Sequence, residues 1–119
     1  MQDFVHLHVH TQYSLLDGQA SIPKLVDKAI ADGMRGMAVT DHGNMFGIKE
    51  FFDYCCKVNG KRKKEGLDPL KPIFGCEMYV ARGESRVSKQ SKFDQSGYHL
   101  VVLAKNLTGY HNLIKLVSH

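Results

Sequence analysis

Apolar and polar residues alternate at the start of the chain and then change to a helical spacing. After Phe4, the apolar residues Val5, Leu7 and Val9 alternate with the histidines His6, His8 and His10. This is the two-residue period of a β-strand. From Ser21, a potential N-cap followed by Pro23, apolar residues recur at helical spacing as far as Gly33, a residue typical of a helix end. The first part of the chain therefore predicts a strand followed by a helix.

The remaining pattern predicts, in chain order, a buried strand, a helix, two further strands and a last helix. Their expected bounds are Gly36–Thr40, about Asn44–Val58, Pro72–Val80, Tyr98–Ala104 and Thr108 onwards. A polar segment over residues 82–96 predicts a mobile loop between the last two strands. This order is typical of an α/β fold with a mainly parallel sheet.

The apolar stripe of the last helix continues to the end of the 119-residue chain. A closed barrel of alternating strands and helices needs ~250 residues. We therefore expect residues 1–119 to form the first portion of such a barrel, cut from a longer protein.

Composition excludes several classes of protein. Apolar residues make up 43% and charged residues 24%, which is typical of a folded globular protein rather than a disordered one. No apolar run approaches the ~20 residues of a membrane-spanning helix, and the N-terminus has no secretory signal pattern. The three cysteines contain no CxxC pair, which argues against a disulfide scaffold or a zinc ribbon. A cytoplasmic protein with reduced thiols is the expectation.

The net charge of +4 is unevenly distributed. Residues 57–92 hold ten of the 16 basic residues but four of the 12 acidic ones, with a peak at residues 61–64. A phosphate-bearing partner such as DNA would fit this excess. A solvated helix end or loop with no partner is the favoured alternative, because short basic runs are common on protein surfaces.

The histidines of the first predicted strand are the first candidate functional residues. His8 and His10 are two residues apart, so their imidazoles project from the same face of the strand, together with His6. Such a pair can bind one metal ion, because neutral imidazole is a common metal ligand. A row of hydrogen-bonded histidines on a half-buried strand is the alternative.

Acidic residues and further histidines follow near the ends of the predicted strands. Asp17 lies in the loop after the first strand, and Asp41 and His42 end the second. In parallel α/β folds, functional residues collect at the carboxyl ends of strands. Glu77 lies inside an otherwise apolar strand, where an unpaired carboxylate would be costly and a metal-bound one would be neutralised. A salt bridge with Arg82 or Lys71 is the alternative for Glu77.

These residues together predict a metal centre built from separate elements of the fold. The mixture of nitrogen and oxygen donors suits zinc, manganese or iron better than magnesium. A multinuclear centre of this kind is typical of phosphoester hydrolysis. The predicted metal ligands are His8, His10, Asp17, His42, Glu77 and His99, and Asp41 is the predicted catalytic carboxylate.

Four short motifs resemble the first motifs of the PHP (polymerase and histidinol phosphatase) family. They are His8-Val9-His10-Thr11, Asp17-Gly18, Thr40-Asp41-His42-Gly43 and Gly75-Cys76-Glu77. The longer stretches 4–18, 40–47 and 99–113 resemble the branch of the family that begins the large subunit of bacterial replicative DNA polymerases. The resemblance covers nearly the whole chain, and the combination of motifs is highly specific.

The resemblance implies a distorted seven-stranded α/β barrel that binds divalent metals, zinc or manganese with iron as a further candidate. It implies phosphoester hydrolysis, with 3′–5′ exonuclease activity in some members, within a DNA-directed DNA polymerase. The implied partners are DNA, a sliding clamp and a proofreading exonuclease. Two other functions stay open: a non-catalytic module that docks the proofreading partner, and a free-standing phosphatase of the histidinol-phosphatase type.

One prediction conflicts with the expected geometry. His99 begins a predicted strand, whereas a barrel site needs the carboxyl ends of strands. Either the fourth strand begins elsewhere, or His99 is a core histidine. For the 119 residues alone, we expect weak or partial metal binding and no polymerase activity.

Overall fold

The computed structural model of the protein describes residues 4–14, 18–80 and 98–118. The predicted mobile loop and Asp17 lie outside these residues. From the first helix onwards, the helices and strands follow the predicted order. Their bounds are α1 (Ile22–Ala31), β1 (Gly36–His42), α2 (Ile48–Lys64), β2 (Lys71–Val80), β3 (Tyr98–Leu103) and α3 (Leu107–Ser118). The α/β class is therefore confirmed.

The three strands form one sheet in the order β1-β2-β3. β1 and β2 are parallel, and their register places His42 opposite Glu77 at the carboxyl ends of both strands. β3 is antiparallel to β2, so its first residues lie beside the last residues of β2, with His99 opposite Tyr79. This direction brings the start of β3 to the same edge of the sheet as the ends of β1 and β2.

The predicted first strand is an extended segment along the free edge of β1, without regular strand pairing in the described residues. The amide of Ala38 donates to the carbonyl of His6 at 3.1 Å, and the amide of Thr40 donates to the carbonyl of Val9 at 2.9 Å. Three residues on the segment therefore face two on β1, which is the irregularity of a bulge. The amide of Val9 donates instead to the hydroxyl oxygen of Thr40 at 2.8 Å. The segment still places His8 and His10 at the carboxyl edge of the sheet, beside Glu77.

The second helix differs from its predicted bounds at both ends. It begins at Ile48 rather than near residue 44, because Asn44 forms a local turn in which its side-chain oxygen accepts from the amide of Phe46. It continues through the basic run to Lys64. Lysine and arginine are good helix formers, and their charges are favourable at a helix C-terminus. The basic run is thus the last turn of α2 rather than a loop after it.

The hydrophobic core lies between the sheet and the helices α1 and α2. β1 is buried over its first six residues, which confirms the prediction of a buried strand. Asn59 of α2 fixes the start of β2, since its side chain donates to the carbonyl and accepts from the amide of Leu70, both at 2.8 Å. The buried core residues are Ile22, Val26, Ala29, Met37, Val39, Ile48, Phe51, Cys55 and Leu70. Among the described residues, no helix has the length and apolarity needed to cross a membrane.

Candidate metal centre

Glu77 lies at the centre of a cluster of histidines at the carboxyl edge of the sheet. Its side chain is buried, and its two oxygens face different partners. Oε2 lies 2.8 Å from Nε2 of His8 and 2.5 Å from Nε2 of His10. Oε1 lies 3.0 Å from Nδ1 of His99. Within the described ranges, the ion-pair partners of Glu77 are therefore histidines and not Lys71, while Arg82 lies outside those ranges.

The cluster contains two groups of potential metal donors that share Glu77. One consists of His8, His10 and Glu77, and the other of His42, Glu77 and His99. Within each group the donor atoms all lie within 4.8 Å of one another. Imidazole nitrogens with a carboxylate oxygen form a donor set that suits zinc, manganese or iron. The residues present therefore fit the predicted kind of metal, and a carboxylate with one oxygen toward each group is suited to bridge two ions.

The neighbouring histidines keep the side chain of Glu77 ionised. Burial by itself would raise the pKa of Glu77, but hydrogen bonds and positive charge from His8 and His10 lower that pKa to about 2. The carboxylate is therefore ionised at neutral pH. A buried anion surrounded by nitrogen donors is favourable for a bound cation.

His99 reaches the cluster because β3 runs antiparallel to β2. The strand begins at Tyr98, as predicted, so a different start does not explain the conflict, which arose because the sheet was expected to be mainly parallel. In the antiparallel pair, the first residues of β3 lie beside the carboxyl end of β2. The ring of His99 is 4.6 Å, centroid to centroid, from that of His42. The structure thus places His99 among the candidate ligands and half-exposed rather than in the core.

Asp41 has a different environment from the other predicted site residues. It is buried and accepts hydrogen bonds from the amide of Thr11 at 2.6 Å, the hydroxyl of Thr11 at 2.8 Å and the hydroxyl of Ser14 at 3.3 Å. Ser14 also accepts from the amide of His42 at 2.8 Å. These contacts fasten the N-terminal segment to the end of β1. Asp41 belongs to neither donor group found in the described part of the chain, and its catalytic role stays a prediction.

Three residues of the site were not predicted as such from the sequence. Thr11 and Ser14 hold Asp41, and their positions just after the histidine pair were the available signal. Tyr79 lies two residues after Glu77, and its ring stacks on that of His42 at 4.7 Å between centroids. The period of a strand placed Tyr79 on the same face as Glu77, but gave no reason to assign it a function.

Comparison with known proteins identifies the family to which the chain belongs. The family profile of the PHP domain matches residues 6–119. The chain is 45% identical to the DNA polymerase III subunit alpha of Borreliella burgdorferi, across 97% of the chain and 9% of that relative. It is 48% identical to the protein of the same name from Treponema pallidum, again across 97% of the chain and 9% of the relative. It is 44% identical to that of Helicobacter pylori strain 26695, across 97% of the chain and 8% of the relative. The chain thus spans less than a tenth of the length of these relatives.

Proposed function

The chain belongs to the PHP domain family, and from that premise we propose that it is the N-terminal PHP segment of a bacterial DNA polymerase III alpha subunit. The parent protein is then a DNA-directed DNA polymerase acting in cytoplasmic DNA replication. Support comes from relatives of that name, each aligned over 97% of the chain. The described sheet is consistent with the first portion of the distorted seven-stranded barrel that we propose for the complete domain.

The proposed activity of the segment is metal-dependent hydrolysis of phosphoesters, including a 3′–5′ exonuclease reaction. The observation that carries this proposal is the position of Glu77, whose two oxygens face two separate histidine groups. Divalent ions held there would activate water near neutral pH and stabilise the charge of a transferring phosphoryl group. The ionised Glu77 and the imidazoles of His8, His10, His42 and His99 would hold those ions.

The residues around the cluster keep its donors in place. Asp41 anchors the N-terminal segment that carries His8 and His10, through Thr11 and Ser14. Pairing of β3 with β2 positions His99. The donors thus come from four separate stretches of chain, the N-terminal segment and the three strands, and their hydrogen bonds supply the preorganisation that metal sites require.

DNA is the proposed partner, and the basic end of α2 is a described surface that fits it. Lys57, Lys61 and Lys64 are exposed and lie on one side of α2 at helical spacing, and we call them the basic face. Lys49 earlier in the same helix forms an ion pair with Asp53 at 3.0 Å, whereas the structure shows no acidic partner for the basic face among the described residues. An uncompensated row of lysines attracts the phosphates of a nucleic acid. We propose a sliding clamp and a proofreading exonuclease as further partners of the complete protein, on the basis of the family alone.

The experiment that tests the activity compares metal content and hydrolysis in the purified protein and its histidine variants. His8→Ala and His10→Ala remove donors from the first group, so both metal content and exonuclease activity should fall. His111→Ala is the matched control, because His111 is an exposed histidine on α3 outside both donor groups. Unchanged metal content and hydrolysis in the first two variants would contradict the proposal. Retained binding of a proofreading exonuclease by such variants would then favour the docking function.

A further inference from the structure

Tyr79 lies beside the candidate metal centre without belonging to either donor group. It follows Glu77 by two residues on β2, so the two side chains emerge from the same face of the sheet. Directly across the ladder it faces His99 on β3. An aromatic side chain therefore borders the position where a phosphoester would meet the metals.

The ring of Tyr79 is held in place by its neighbours. It stacks on the ring of His42, with 4.7 Å between centroids and 26° between planes. The ring of His99 meets it edge-on at 5.4 Å and 89°. Gly43, with a φ of +72°, leaves room for the ring, because a Cβ at this position would lie 3.0 Å from Cε2 of Tyr79. These contacts restrict the orientation of the ring in the absence of a ligand.

Tyr79 nevertheless remains 58% exposed. A fixed, exposed aromatic ring next to a phosphate-binding position can stack against a nucleobase, since every base offers a π-face. Because the ring is already ordered, stacking would cost little additional conformational entropy. A ring that only fills space across the strand pair would stabilise the sheet and have no effect on which ligands bind.

We propose that Tyr79 is a specificity-determining residue that stacks on the base of the terminal nucleotide whose phosphate lies at the candidate metal centre. It makes the site select phosphoesters that carry an unstacked nucleobase over those that do not. This inference rests on the proposed function and adds a base-binding residue to it. The required ligand is a single-stranded end, because the base must be free to leave its own stack.

The test measures binding of short DNA single strands that differ only at the 3′-terminal residue, which is either 2-aminopurine or an abasic sugar. The backbone charge is the same in both, so their affinity ratio reports the terminal base alone. Binding is followed by anisotropy with manganese present, on strands whose terminal linkage is a phosphorothioate that resists hydrolysis, and stacking is followed by quenching of 2-aminopurine fluorescence. The protein has no tryptophan, which keeps its own emission low. Hydrolysis of both strands with manganese is measured separately.

Tyr79→Ala should lower the affinity for the 2-aminopurine strand roughly 5- to 150-fold, the range of one base–aromatic stack. It should leave the affinity for the abasic strand unchanged. Tyr79→Phe keeps the ring and should retain the base preference, whereas Tyr79→Leu fills the space without a π-face and should lose it. Phe52→Ala is the matched control, because Phe52 is 49% exposed and packs on Phe74 at the opposite face of β2.

The inference would be overturned by a wild-type protein that binds both strands equally, or by Tyr79→Leu with an intact base preference. A failure of the proposed function would give a different experimental result from a failure of this inference. In that case the wild-type protein hydrolyses neither ordinary strand with manganese, while the affinity ratio measured on the resistant strands still supports or refutes the role of Tyr79.

Discussion

Oε1 of Glu77 lies 3.0 Å from Nδ1 of His99, although these residues belong to strands that run in opposite directions. The contact depends on the close approach of β3 to β2. Gly75 of β2 permits that approach, because a Cβ at this position would lie 2.4 Å from the carbonyl oxygen of Val102. Any side chain at residue 75 must therefore displace β3 or the backbone of β2.

Gly75→Ala should weaken the second donor group more than the first. Displacement of β3 moves His99 away from Glu77, while His8 and His10 are held by other contacts. We expect a lower midpoint of thermal unfolding and loss of part of the bound metal, measured by calorimetry and by metal analysis. Gly60→Ala is the control, since no atom lies within 4 Å of a Cβ at this position in α2. It should stabilise the helix by roughly 0.5–1 kcal/mol. Equal metal content in wild type and Gly75→Ala would argue against this account.

Asp41→Asn should reduce the free energy of unfolding by about 1–3 kcal/mol, because an amide cannot accept every hydrogen bond that the buried carboxylate receives. The amide of Thr11 and the hydroxyls of Thr11 and Ser14 all point to that carboxylate. Urea unfolding measures the change. Asp53→Asn is the comparison, because Asp53 forms an exposed ion pair with Lys49. Its effect should lie within ~1 kcal/mol. Similar effects of the two substitutions would mean that Asp41 does not anchor the N-terminal segment.

Replacing lysines of the basic face should weaken DNA binding through the loss of phosphate contacts. The affinity for duplex DNA at low salt should fall in a triple variant that carries Lys57→Gln, Lys61→Gln and Lys64→Gln. The slope of log affinity against log salt should become shallower by about 0.9 for each lysine that contacts a phosphate. Fluorescence anisotropy across a salt series gives both values. Lys28→Gln serves as control, since Lys28 is already paired with Asp32 at 3.0 Å. An unaltered salt slope in the triple variant would indicate a solvated helix end without a DNA contact.

Adjacent cysteines of α2 should differ in reactivity toward thiol reagents. Cys55 is buried, and burial, together with the nearby Cys56, raises the pKa of its thiol to about 11. Cys56 is exposed. At pH 8 the folded protein should therefore react rapidly at Cys56 and slowly at Cys55, since the thiolate is the reactive form.

Because the pKa of Cys55 is raised in the folded state, its contribution to stability is present below the unfolded-state value of about 9. This contribution decreases as the pH rises toward 11. Labelling kinetics in single-cysteine variants, followed by mass spectrometry, measure the difference. Unfolding in urea should make the two rates similar. Equal rates in the folded protein would show that Cys55 is accessible.

Local patterns predicted the three helices and the last three strands, because each depends on residues close together in the chain. The period of two at the N-terminus predicted a strand, whereas the structure has an extended segment without regular pairing, in which the amide of Val9 bonds to the hydroxyl of Thr40. The end of α2 was predicted near Val58, which is too early. Lysine and arginine instead prolong the helix to Lys64.

By itself, the sequence determined the α/β class, the family and the type of donors, since residue types and short spacings carry that information. Only the tertiary structure decided how those donors meet. The direction of β3 brings His99 to Glu77, and the burial of Asp41 directs its carboxylate to Thr11 and Ser14. The tertiary structure also stacks the ring of Tyr79 on the ring of His42. Strand direction and register arise from packing between residues far apart in the chain, so no local pattern encodes them.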